Sequence, residues 1–420
     1  MSIEITTLPG GLRVVTDSIP SMDSVAIGVW AAVGTRHEDM IHNGVAHMVE
    51  HMMFKGTKTR TAAQIAEAIE DVGGNVNAYT SRDITAYHVH LLKDHTPLAM
   101  DILSDILQNT TMPEDEVERE RDVILQEIGM SNDTPDDLVF DLYQETAYPD
   151  QALGAPILGR NDIIANMQRD TLQGYVNRCY TPKNLVLSAA GNITHDALVK
   201  MASERFNALP KDQEVTTAAA HYTGGQSRAE KDLEQSHIVL GFQGISRHDE
   251  DYYAAVALST ILGGGMSSRL FQEVREKRGL VYSVFSFHSS YADDGQFAVY
   301  AGTGPERLGE LIPVVCDELK KIANDVVSDA ELKRAKTQMK SGLLMARESM
   351  MTRAGQQAKH LIYFDKKLDV AELLHKIDAV TDDDILRLSQ RIFATVPTVA
   401  ALGPLQQLES YESLRARLRA

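Results

Sequence analysis

Ser24-Val25-Ala26-Ile27-Gly28-Val29-Trp30, followed by Gly34-Thr35-Arg36-His37-Glu38-Asp39, has a counterpart further along the chain. It is Ser236-His237-Ile238-Val239-Leu240-Gly241-Phe242, followed by Ile245-Ser246-Arg247-His248-Asp249-Glu250. Arg36 and Arg247 stand 211 positions apart (247 − 36). Each copy reads as an apolar strand, a polar turn and then a helix, so the two halves are expected to repeat one unit.

Carried onward, the same offset sets Leu258 opposite His47, Ile261 opposite Glu50 and Leu262 opposite His51. In His47-Met48-Val49-Glu50-His51, positions 47, 50 and 51 share one helix face, because residues three and four apart are surface neighbours. Two imidazoles so placed can grip one metal ion. A thiol-free pair suits Zn²⁺, and the glutamate between them can take a proton from a zinc-activated water. Helix packing in the second copy is satisfied by Leu and Ile, so the His and Glu of the first copy answer a different demand.

The repeat also points to a third ligand. Glu114 to Glu127 reads as a capped, charged amphipathic helix and aligns with the stretch from Asp329 onward, with Arg119 opposite Arg334. Glu120 then faces Ala335 and Glu127 faces Gly342, so two carboxylates are missing from the copy that lacks the histidines. Seven positions apart, Glu120 and Glu127 lie on one helix face. Glu127 is the expected oxygen ligand, and Glu120 a carboxylate that orients a histidine or shares a proton.

Composition bounds the remaining classes. A chain of 420 residues predicts two or three domains, and 43% hydrophobic with 24% charged residues is the make-up of a globular protein. No run of 18 apolar residues appears, so no membrane span is expected. A net charge of −18 argues against nucleic acid and anionic membranes as partners, and makes basic peptides plausible ones. Met1 to Thr6 has neither a basic n-region nor an apolar h-region, and Cys179 and Cys316 read as reduced, packed thiols. The expected compartment is the cytoplasm, or the mitochondrial matrix if this is a mature form.

Together, Gly44-Val45-Ala46-His47-Met48-Val49-Glu50-His51-Met52-Met53-Phe54-Lys55-Gly56-Thr57 and Glu127, 76 positions beyond His51 (127 − 51), resemble the pitrilysin/insulinase family of zinc peptidases. The order H-x-x-E-H is the inverzincin pattern. The resemblance covers essentially the whole chain and is to the short subgroup related to the mitochondrial processing peptidase. It implies an α+β fold of two homologous α/β sandwich units, each a mixed, largely antiparallel sheet packed against helices, forming one half of a clam-shell. The expected division is a zinc-binding catalytic unit at 1–212, a linker at 213–232 and a degenerate repeat at 233–420.

The resemblance further implies one Zn²⁺ per chain held by His47, His51 and Glu127, with Glu50 as general base and Glu120 as supporting catalytic carboxylate. Peptide substrates would add a strand along Asn77, Ala78 and Tyr79 of Gly73-Gly74-Asn75-Val76-Asn77-Ala78-Tyr79-Thr80, where main-chain bonds give affinity with little demand on sequence. Arg275 and Tyr282 resemble the pair by which the second half holds the substrate backbone, with Arg278 as a competing candidate. A guanidinium and a phenol can donate to a carbonyl and to the oxyanion formed from it.

One half-shell cannot close a chamber, so a homodimer is expected, or a heterodimer with a related chain. The alternative is a non-catalytic or partner-dependent subunit of a processing-peptidase-like heterodimer. Gly263-Gly264-Gly265-Met266-Ser267-Ser268 lacks the Gly-Lys-Ser/Thr ending of a nucleotide loop. His88 and His90 alternate as on one strand face, and a structural role is expected for them.

Overall fold

Strands form where β-branched and small apolar residues run without interruption, and in the computed structural model, which describes residues 2–213 and 215–419, they build two mixed sheets. The first contains β1 (Ser2–Thr7), β2 (Arg13–Ser18), β3 (Ser24–Ala31), β4 (Asn75–Thr80), β5 (Thr85–Leu92) and β6 (Leu185–Gly191), in the order β1-β2-β6-β3-β5-β4. The second contains β7 (Gly225–Glu230), β8 (Ser236–Gln243), β9 (Val281–Ser290), β10 (Gly295–Thr303) and β11 (Thr398–Gly403), in the order β7-β11-β8-β10-β9.

The duplication is visible in strand polarity. β2 and β6 pair in parallel, as do β7 and β11, while β6-β3-β5-β4 and β11-β8-β10-β9 are antiparallel throughout. β3 and β8, the two apolar stretches matched in the sequence, occupy the same place in each sheet. Among the described residues, β1 is the one strand without a counterpart. The fold is thus the expected pair of homologous units, each a mixed, largely antiparallel sheet packed against helices.

Both faces of β3 are buried, which explains its near-continuous apolar sequence. Val25, Ile27 and Val29 point into a core built with the helices Val45–Met52, Thr96–Asn109 and Arg169–Cys179. Ala26 and Trp30 point the other way, against Met350, Ala354, Ala358 and Leu361 of the helix Met350–Phe364. In the second unit, Val139 and Tyr143 of the helix Pro135–Ala147 cover one sheet face beside Val239, Ala298 and Ala400.

The division into contiguous halves at 212 and 233 therefore needs correction. One compact unit comprises 1–129, 155–218 and 344–368, and the other 130–154, 219–343 and 369–420. Each half of the sequence gives the other unit's sheet one helix, because a sheet with two apolar faces needs a cover on each. The buried Asp17 on β2 anchors the borrowed segment of the first unit, accepting from Arg347 at 2.8 Å and Arg353 at 3.1 Å.

The linker also shrinks. Its C-terminal part, Gly225–Glu230, is strand β7, paired in register with Thr398–Gly403. Glu214, within the expected linker, lies outside the described residues. Cys179 and Cys316 are unpaired and buried. Among the described residues no helix is long and apolar enough to cross a membrane.

Candidate metal centre

The helix Val45–Met52 buries Val45, Ala46, Met48, Val49 and Met52, which leaves His47, Glu50 and His51 only partly buried on its other face. Its N-cap residue, Gly44, sits at φ 92°, and a Cβ there would lie 2.7 Å from the Cα of Gly159. Only glycine meets both conditions.

Glu127 comes from the long helix Glu114–Asp133, which buries Val117, Glu120, Ile124 and Ile128 along one stripe. Its Oε2 lies 3.8 Å from His47 Nε2 and 3.7 Å from His51 Nε2. Among the described residues this is the one group of three donors arranged to hold a metal ion. Tetrahedral zinc with bonds of ~2.0–2.1 Å sets its donors roughly 3.4 Å apart, so Glu127 needs to close on each imidazole by only a few tenths of an ångström, and all three donor atoms lie within 4.8 Å of one another. Two imidazoles and a carboxylate are a donor set for Zn²⁺ that leaves a fourth position open.

The two imidazoles are held differently. His51 Nδ1 is 2.8 Å from Glu120 Oε2, which leaves Nε2 facing Glu127. The other Glu120 oxygen lies 2.6 Å from Lys55 Nζ. Burial opposes ionisation of Glu120, but the bonds from Lys55 and His51 outweigh it and hold its pKa below the usual value. His47 Nδ1 is buried without a hydrogen-bond partner among the described residues, so packing and backbone alone place that ring. Burial, then the neighbouring His51, push the His47 pKa down to about 4, which favours the neutral form, the one able to bind a metal ion.

Glu50 accepts a 2.6 Å hydrogen bond from Thr80 Oγ1 on β4. Burial raises its pKa, and the Thr80 bond and His51 pull it partly back. A carboxylate poised above its ordinary range is a better proton acceptor from water.

β4 is an edge strand of its sheet, as strand addition requires. Ser81 N donates to Ile84 O at 2.8 Å, so the antiparallel alternation turns the peptide groups of Asn77 and Tyr79 toward β5. Those of Val76, Ala78 and Thr80 turn to the open edge. Ala78 N is taken there by the side chain of its own neighbour, Asn77 Oδ1, at 2.8 Å. The Tyr79 side chain is committed to the opposite face, where its hydroxyl accepts from Trp30 Nε1 at 3.1 Å and its ring lies 5.2 Å from Lys359 Nζ. Of the three edge residues named from sequence, Ala78 is the one whose main chain faces outward.

In the second unit, Arg275 and Tyr282 meet. The guanidinium lies 5.6 Å from the Tyr282 ring centre and 4.9 Å from that of Phe271, on the π-helical turn Phe271–Glu276. Tyr282 is 79% exposed. Arg278 is bound to Glu273, at 2.8 Å from Oε2 and 2.7 Å from the main-chain oxygen. Leu258, Ile261 and Leu262 are buried in the core of this unit on the helix Tyr252–Gly263, and Ala335 is buried on the helix Asp329–Ala346.

His88 stacks on Trp30 and His90 bonds Ser24 Oγ at 3.2 Å, both structural contacts. Sequence reasoning missed three residues: Lys55, Thr80, and Glu38, whose carboxylate accepts from the amides that begin the histidine-bearing helix. The signal for Lys55 was its place four positions after His51. Thr80 closed the edge segment already quoted, and Glu38 stood in the repeated stretch.

A family profile described as Insulinase (Peptidase family M16) matches residues 13–161, and one described as Peptidase M16 inactive domain matches residues 166–339. An uncharacterized zinc protease of Rickettsia felis is 40% identical over 404 residues, covering 96% of this chain and 98% of that protein. One from Bacillus subtilis is 37% identical over 399 residues, covering 95% and 97%. The crystal structure of a protease from Helicobacter pylori matches with a TM-score of 0.89 at 25% identity, covering 96% of this chain and 99% of that one. Matched in both halves, and similar to these zinc proteases over nearly its whole length, the chain belongs to the insulinase family of metallopeptidases, family M16.

Proposed function

We propose that this protein is a zinc-dependent endopeptidase that hydrolyses peptides or unfolded segments inside a chamber closed by a second chain. The observation that carries the reading is the bond between Thr80 and Glu50. It joins the open edge of β4, where an extended peptide can add, to the carboxylate that shares a helix face with two of the three metal donors.

His47, His51 and Glu127 would hold the ion, with Glu120 fixing the His51 ring. Zinc, when bound, supplies a Lewis acid that polarises a carbonyl and acidifies water. Glu50 accepts the proton of the attacking water and returns it to the leaving amine. Thr80 holds one oxygen of that carboxylate in place. The outward peptide groups of Val76 and Thr80 and the outward carbonyl of Ala78 align the substrate main chain, which demands an extended and therefore unfolded segment.

Arg275 and Tyr282 have the donors to hold a substrate carbonyl and the oxyanion formed from it. The exposure of Tyr282 supports this role. In a homodimer of the short, processing-peptidase-like kind, each site would be completed by this pair from the partner. The charge of −18 favours basic peptides. The test is cleavage of an internally quenched peptide before and after chelation. Activity lost on metal removal and restored by zinc supports the reading, and undiminished cleavage by metal-free protein refutes it.

A further inference from the structure

The histidine-bearing helix cannot cap itself. Its first amides have no intrahelical acceptors, and its N-cap, Gly44, has no side chain to supply one. Nor can a capping residue replace Gly44, since any Cβ there meets Gly159. The acceptors come instead from Glu38, six residues upstream. Its Oε2 takes Gly44 N at 2.9 Å and Asn43 Nδ2 at 3.1 Å, and its Oε1 takes Ala46 N at 2.8 Å.

The carboxylate is buried, which is costly for a charged group. The repeat shows a milder arrangement. Asp249, 211 positions on, accepts from Asp251 N at 2.9 Å and is paired with Arg391 at 2.9 Å, and the helix that follows carries Leu and Ile in place of the donors. The buried three-donor cap belongs to the copy with the histidines. It fixes the turn just before His47, the ligand whose Nδ1 has no acceptor among the described residues and whose ring is placed by its backbone.

We propose that Glu38 is a positioning residue for the metal centre: by clamping the amides of Gly44 and Ala46, it sets where His47 presents Nε2 to the ion. This rests on the reading of His47, His51 and Glu127 as metal ligands.

The test uses the full chain and the variants Glu38→Gln and Glu38→Asp, with two readouts besides activity: zinc affinity by competition with a chromophoric chelator, and the visible spectrum of the cobalt(II)-substituted protein. Glu38→Gln should lose zinc affinity by about tenfold or more, as expected for a residue supporting a ligand, and shift the cobalt bands. Glu38→Asp, which keeps the carboxyl group on a side chain one methylene shorter, should fall between. Wild-type affinity and spectrum in Glu38→Gln would overturn the inference alone. If that variant fails to fold, wild-type values in Glu38→Asp would overturn it equally. A wild-type chain that takes up no zinc would instead remove the metal-site reading, and this inference with it.

Discussion

Thr80 donates its hydroxyl to Glu50 across 2.6 Å, so the edge strand and the carboxylate between the two histidines form one hydrogen-bonded unit. That bond favours the ionised form of a side chain whose burial favours the neutral one.

Thr80→Val removes the donor while keeping the shape, and the Glu50 pKa should rise further. Glu50 must be ionised to accept a proton, so activity falls as pH drops through its pKa. The acid limb of the kcat/KM profile should therefore move to higher pH in the variant. An unmoved limb at wild-type zinc content would deny Glu50 the role of base.

Glu120→Gln should weaken zinc binding by about 10–100-fold, the usual effect of losing the acceptor behind a ligating imidazole. Lys55→Met, which leaves the Glu120 carboxylate bonded to His51 but without its cationic partner, should have a smaller effect in the same direction. Chelator competition measures both, and equal zinc affinity in all three proteins would contradict the support assigned to Glu120.

The candidate site residues were legible because each lies on a helix whose period fixes its face. His47, Glu50 and His51 sit on one side of the helix Val45–Met52, and Glu120 and Glu127 on one side of the helix Glu114–Asp133. Their absence from the repeat removed the packing explanation. Thr80 and Glu38 reach the site from a strand and a loop, and no spacing along the chain encodes such contacts. The exchanged helices Pro135–Ala147 and Met350–Phe364 were hidden for a related reason: periodicity gives a helix an apolar face but does not say which sheet it covers. β7 was hidden because Gly225-Gln226-Ser227-Arg228-Ala229-Glu230 has little intrinsic strand preference, and pairing with β11 imposes the conformation.

Leu262→Ala tests the other side of the repeat. Leu262 stands where His51 stands in the first copy and is fully buried. Truncation should cost about 2–5 kcal/mol of stability, seen as a lower midpoint in denaturant or heat. His51→Ala should cost zinc while changing the stability of the metal-free protein much less. Comparable losses in both would restore a packing role to the histidine.

A mixing experiment tests completion of the site by a partner. Glu50→Gln and Arg275→Ala should each be inactive or nearly so as pure proteins. Co-refolded, they should form mixed dimers in which the intact Glu50 of one chain meets the intact Arg275 of the other, and activity should return. No recovery in a sample shown by light scattering to contain dimers would place both residues in the same chain's site.

The most direct measurement is turnover of a quenched peptide by Glu50→Gln protein whose zinc content has been determined. The geometry predicts one zinc per chain, because His47, His51 and Glu127 are untouched, with hydrolysis abolished. Hydrolysis near the wild-type rate at full zinc occupancy would contradict it.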